Sequence, residues 1–374
     1  MMLQGHFVDT MLAPAYRDHS YALYSFWSFF RGMTAPIFFF SAGLVFMYLL
    51  LKDNRPLRKN VRVQKGWRRG IMLIGLGYLL KWSIWGVLAL RMPPYFFTVD
   101  VLHCIGFAIL ALIGIYALHR KWQFSLRIVL GTLGVLIFLT DPIIKTFDWN
   151  AVFPTFIASY FTKVNGSTFV LFPWLGYAFL GGVMGVWLNR QPSYAFSKWL
   201  PWVLLVGGFI LDKFSVHWIV ALHQLTGWGV FLGTINNNYL LVRLGHVLIA
   251  LAAVIWITRW WKNMPSLVTK IGSETLTIYA VHYVLLYGTW LGIGLATFWK
   301  KSLAPVPVAI GAALFVVGFI VLIAHIETVR EVIYQRVPAK AKYTFRVGRV
   351  VVLRFYRREM RPLMQRLRFV RASS

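Results

Sequence analysis

The stretch FWSFFRGMTAPIFFFSAGLVFMYLL, residues 26–50, decides the fold class. It carries one charged side chain, Arg31. A helix of this length rises about 37 Å, enough to cross a hydrocarbon core of about 30 Å. Comparable runs follow along the chain. Helical spans are expected near 1–12 (partial), 26–50, 70–90, 100–118, 128–144, 168–188, 199–211, 240–257, 273–298 and 305–328. The reading is an all-α, polytopic integral membrane protein of about ten transmembrane helices. Composition agrees: 59% of residues are hydrophobic and only 13% charged, against about 25% charged in soluble domains. The domain plan is a membrane domain over 1–328 and a basic tail over 329–374.

The charge is lopsided, with 39 Lys and Arg against 11 Asp and Glu. The positive residues lie between apolar runs or in the tail, which argues against a nucleic-acid partner. Segment 51–69 holds eight of them and the tail thirteen, while every second connection is poor in them. The positive-inside rule therefore places 51–69, 119–127, 189–198, 258–272 and the C-terminus in the cytoplasm. Such a chain is expected in the cell membrane. Arginines and apolar residues interleave in the tail, as in an amphipathic helix lying on anionic lipid. Cys104 is the only cysteine, so no intrachain disulfide forms. No cleavable signal peptide is visible.

The first twelve residues, MMLQGHFVDTML, stand apart. They are apolar, yet as a helix they rise only about 18 Å. His6 and Asp9, three residues apart, share a helix face. Ionisable groups inside a span are functional candidates. Counting from the expected outer boundary, His6 lies about 10 Å deep, Arg31 about 8 Å, His103 about 6 Å, His246 about 9 Å and Lys81 about 13 Å. Arg243 is also assigned to a span, Asp100 lies at the boundary, and His282 reaches the midplane. Each could be satisfied separately, by a backbone carbonyl or by reaching an interface. Their shared depth favours a common polar cavity. There a histidine serves as general base or nucleophile, and basic residues hold an anionic group or an oxyanion. Without a paired-ligand motif such as His-Glu-x-x-His, no metal is expected.

The order of motifs narrows the class. Gly5-His6 is followed by the 26–43 stretch, Arg68-Arg69-Gly70, and Val101-Leu-His-Cys-Ile-Gly106. Then come Phe172-Pro-Trp-Leu-Gly-Tyr177, with Gly181, Gly182 and Gly185 after it, and Ile271-Gly-Ser-Glu-Thr-Leu-Thr-Ile-Tyr-Ala-Val-His282. Over roughly residues 3–290 this series resembles the bacterial relatives of heparan-α-glucosaminide N-acetyltransferase, within the transmembrane acyltransferases. The resemblance implies transfer of an acyl group, typically acetyl from cytosolic acetyl-CoA, to a glycan across the membrane. It makes His6 the match of the family's proposed catalytic histidine and His282 that of a later Tyr-x-x-His motif. Relatives also carry an Asp-x-x-Arg-Gly-like stretch about a dozen residues before the histidine, so about a dozen or more residues are expected before Met1.

The resulting expectation is an acyl-CoA-dependent acyltransferase. His6, Asp9 and His282 are its catalytic candidates. Arg31, Lys81, His103, Arg243 and His246 are its substrate-binding candidates. Acetyl-CoA is the donor and a sugar hydroxyl or amine on the outer side the acceptor. A transporter or flippase would use similar polar parts without chemistry, and a non-catalytic scaffold would keep the fold alone. Dependence on acyl-CoA separates these readings.

Overall fold

A computed structural model describes residues 1–236, 239–261 and 263–331. The expected tail lies almost wholly outside the described residues. Among these residues ten principal helices appear in chain order: α1 Met2–Met11, α2 Ala22–Leu50, α3 Val61–Lys81, α4 Val101–Trp122, α5 Leu126–Thr146, α6 Leu171–Arg190, α7 Leu200–Thr226, α8 Tyr239–Trp260, α9 Thr275–Tyr287 and α10 Pro305–Ala324. Short helical turns connect them, and no named β-strand forms among the described residues.

Among the described residues, seven segments are long and apolar enough to cross a membrane: Ala22–Leu50, Pro94–Trp122, Leu126–Thr146, Leu171–Arg190, Leu200–Thr226, Leu240–Trp260 and Pro305–Ala324. The protein is thus an all-α, multi-pass membrane protein. The other three principal helices fall short for separate reasons. Ten residues of α1 rise about 15 Å and thirteen of α9 about 20 Å. α3 has the length, but it carries Arg62, Lys65, Arg68 and Arg69 in its first half.

The bounds of three spans differ from expectation. α3 begins at Val61 rather than near 70, because Asn60 caps it. Its side chain accepts from the N–H groups of Arg62 at 2.8 Å and Val63 at 3.0 Å. α3 also ends at Lys81 instead of continuing to 90, so Lys81 closes a helix rather than sitting mid-span. The span expected over 199–211 runs on to Thr226. It passes Asp212 because His246 and Lys213 pair with that carboxylate, and it stops at Gly227, whose φ of 68° suits glycine. The span expected over 273–298 breaks after Tyr287, at Gly288 with φ 72°.

The chain divides into two units, Met1–Met264 with Leu276–Ala313, and Pro265–Thr275 with the chain from Leu314 onward. In the first unit, α6 packs against α2 and α5, α3 against α4, and α7 against α8. The α2–α6 approach needs glycine. A Cβ at Gly181 would overlap the Phe40 carbonyl, and one at Gly43 that of Ala178. Such close backbone contact supplies the dispersion that holds helices together where lipid removes a hydrophobic drive. In the second unit, Arg330 Nη2 donates to both oxygens of Glu274, at 2.9 and 2.8 Å. Lys270 donates to the Ala324 carbonyl at 3.3 Å, a cation at the end of α10.

Candidate functional site

α1 is short but held at both faces. A Cβ at Gly5 would lie 3.5 Å from Cγ of Arg31 on α2. At the other end of α1 the chain 301–303 satisfies carbonyls that a helix terminus leaves open. Lys301 N–H donates to Thr10 O at 2.9 Å and Leu303 N–H to Met11 O at 3.0 Å. Phe7 lies against Gly311 of α10. The position of His6 is thus fixed by residues nearly three hundred positions away in sequence.

The imidazole of His6 faces that of His282 on α9, with ring centroids 5.1 Å apart and planes 32° apart. His282 is fully buried. Its Nδ1 is 3.1 Å from the Ile278 carbonyl. A carbonyl only accepts, so Nδ1 carries the hydrogen and Nε2 keeps its lone pair. That Nε2 is buried and has no hydrogen-bond partner. One helical turn along, Thr10 Oγ1 donates to His6 O at 2.6 Å and sits 3.2 Å from the Tyr287 hydroxyl. Asp9 does not turn to His6. Arg31 Nε donates to its carboxylate at 2.7 Å, and the guanidinium Nη2 completes the ion pair. This pair is partly exposed, whereas His6 is half-buried and His282 lies fully inside.

Lys81 and His103 belong to a second group. Asp100 caps α4, accepting from the N–H of Leu102 at 3.0 Å, and lies 2.8 Å from His103 Nδ1. Lys81 Nζ donates to Thr98 O at 2.6 Å and to Thr98 Oγ1 at 3.0 Å, and faces Asp100 at 3.4 Å. The His103 ring packs on the edge of Tyr78 at 4.3 Å and onto Gly77, where a Cβ would collide with it. Tyr78 meets Tyr160 hydroxyl to hydroxyl at 3.1 Å. Burial, together with the Tyr78 bond, pushes the Tyr160 phenol up, so it stays protonated.

Arg243 and His246 form a third group on another side of α2. Arg243 Nη1 donates to Phe29 O at 3.0 Å, and its guanidinium lies 5.1 Å from the Phe29 ring. A Cβ at Gly32 would meet Arg243 Nη2 at 2.7 Å. His246 Nε2 is 3.0 Å from Asp212 Oδ1. Arg31, one residue before Gly32, is turned by about 100° around α2 and points at α1 instead.

The expected common cluster is therefore three groups. His6, Asp9, Arg31 and His282 come together; Lys81 and His103 gather on Asp100; Arg243 and His246 both lie against Phe29, with His246 also paired to Asp212.

Residues 1–217 match the family described as heparan-alpha-glucosaminide N-acetyltransferase, catalytic. The chain belongs to that family. No curated protein and no solved structure matches it. Family membership makes the chain a membrane transferase of the acetyltransferase class that acts on glycans. The matched region holds His6, Asp9, Arg31, Lys81 and His103. Arg243, His246 and His282 lie beyond it, so the partner of His6 within the acetyltransferase fold comes from α9, outside the matched residues.

Sequence reasoning left Thr10, Asp212 and the tyrosines of α9 without a role. For Tyr279, Tyr283 and Tyr287 a signal was present: a spacing of four, which places them on one helix stripe. Nothing local marks Asp212 as the partner of His246, 34 positions away.

Proposed function

We propose that this protein moves an acetyl group from acetyl-CoA, bound from the cytoplasmic side, to a sugar hydroxyl or amine on the opposite side. Its reacting groups are His6 and His282. The observation that carries this reading is the facing imidazole pair at 5.1 Å, of which His282 is fully buried with a fixed tautomer and a free lone pair. The acceptor oxygen or nitrogen attacks the thioester carbonyl, forming the new C–O or C–N bond. The C–S bond breaks, the acceptor proton passes to an imidazole, and the thiol of CoA leaves with a proton. In a two-step form His6 carries the acetyl group first, and His282 takes the acceptor proton in the second step.

Arg31, held by Asp9, is placed to stabilise charge developing on the carbonyl oxygen. Asp9 acts on Arg31 rather than on His6. Lys81 and His103 support the site through Asp100, and Arg243 and His246 bind substrate from across α2. The basic segment 51–69 faces the cytoplasm and draws the CoA phosphates. The C-terminus is cytoplasmic, the tail rests on anionic lipid, and the compartment is the cell membrane.

The test is transfer of radiolabel from acetyl-CoA to a glucosaminide by purified protein in lipid. His6→Ala is expected to lower the rate by about 10²- to 10⁴-fold. Label retained on the wild-type protein without acceptor, and absent from His6→Ala, marks the two-step form. Transfer that is equal in wild type and His6→Ala overturns the role of His6. A wild type that transfers no label leaves the transporter reading in its place.

A further inference from the structure

α9 carries Tyr279, Tyr283 and Tyr287 on one stripe. Their rings touch in sequence. Tyr279 and Tyr283 are 6.2 Å apart at 21°, and Tyr283 and Tyr287 are 4.8 Å apart at 56°. His282 lies beside this ladder, 5.1 Å from the Tyr279 ring and 6.4 Å from that of Tyr283. Exposure rises along it, from 5% at Tyr279 to 36% at Tyr287. The ladder thus leads from the imidazole pair, whose His282 is fully buried, to an open aromatic ring. At that end the Tyr287 hydroxyl lies 3.2 Å from Thr10 Oγ1, and Thr10 follows Asp9, the partner of Arg31, along α1.

We propose that Tyr287, backed by Tyr283, is the surface on which the acceptor sugar stacks while its reactive amine or hydroxyl reaches toward His6. This rests on the acetyl-transfer reading above. A pyranose has an apolar face of C–H groups and an equator of hydroxyls. An open phenol ring receives the face. The other ordinary occupant of an exposed membrane tyrosine is the lipid headgroup layer. Two observations favour the sugar. The Tyr287 hydroxyl is turned to Thr10 of α1, which itself bonds the carbonyl of His6. Its ring is also continuous with the tyrosines that flank His282. A lipid anchor requires neither feature. Tyr287 is in this account a substrate-binding residue that sets acceptor specificity.

Full-length protein in lipid nanodiscs would be assayed with acetyl-CoA and methyl glucosaminide, comparing wild type with Tyr287→Ala, Tyr287→Leu and Tyr287→Phe. The Ala and Leu variants both lack a π face. Each is expected to raise KM for the glucosaminide about tenfold, with KM for acetyl-CoA within about twofold of wild type. Tyr287→Phe keeps the face and is expected to keep the wild-type KM. Because Leu preserves bulk, it gives the same reading if Ala does not fold. A wild-type KM in the Leu variant overturns the inference. So does an equal loss in Phe and Leu, or a loss shared by both substrates, since these make Tyr287 a prop for α1 through Thr10. Those results leave the acetyl-transfer reading standing. A wild type that acetylates no glucosaminide removes that reading and this one together.

Discussion

His282 and His103 invite comparison. Both are fully buried, both engage Nδ1, and both have an Nε2 without a hydrogen-bond partner. Their surroundings differ. His103 hangs on a carboxylate that also faces Lys81, and its ring is wedged between Tyr78 and the backbone at Gly77. His282 hangs on a neutral carbonyl and faces a second imidazole. Burial alone therefore does not mark a reactive histidine. A ring locked by charge and packing stabilises helix ends, whereas a ring whose neighbour can also hold a proton is equipped to pass one on.

Substitutions at the two places should separate activity from stability. His282→Ala is expected to cut acetyl transfer by about 10²- to 10⁴-fold, with a smaller loss of melting temperature than Asp100→Ala. Asp100→Ala should act chiefly on stability. It strands a buried lysine, at a cost of about 3–5 kcal/mol, read as a lowered melting temperature in the same lipid. Replacing both partners, Lys81→Met with Asp100→Leu, should recover much of that loss, because two neutral groups leave no buried charge unpaired. Equal melting loss in His282→Ala and Asp100→Ala would erase the distinction.

Two smaller effects sharpen the contrast between inside and surface. Arg31→Ala removes a partly exposed ion pair and should change stability by no more than about 1 kcal/mol. Its mark is expected in kcat instead, as loss of charge stabilisation at the carbonyl. The smallest effect concerns Asp53, in the connection before α3. Arg55 donates to both of its oxygens, at 2.8 and 2.7 Å, and holds the carboxyl well below the usual range; the Val61 N–H adds a bond at 3.0 Å. A carboxyl with a depressed folded-state pKa stabilises the fold above its unfolded value near 4. That contribution is lost as pH falls further. Melting curves taken from pH 6 downward should show a shallower acid decline in Asp53→Asn than in wild type. Parallel declines would remove Asp53 as a source of acid sensitivity.

Much of the fold was legible in the sequence. The apolar run 26–50 and its successors announce helices in a membrane, because length and hydropathy are local properties. All ten principal helices overlap the expected spans. Boundaries were less legible where charge interrupts the pattern. The Arg-rich first half of α3 hides its true start, although Asn60 was a readable cap. Asp212 and Lys213 hide the continuation of α7, because their pairing with each other and with His246 is invisible in a hydropathy window.

The sequence by itself determined the membrane class, the helix inventory and the motif order that points to acetyl transfer. It also singled out His6 and His282. Only the tertiary structure decided which polar residues meet. It put His6 against His282 rather than against Asp9, gave Asp9 to Arg31, and divided one expected cluster into three. The physical reason is range: helix formation follows from neighbours within a few turns. Contacts between residues 6 and 282, or 212 and 246, depend instead on which glycines let helices close and which charges find partners once they have.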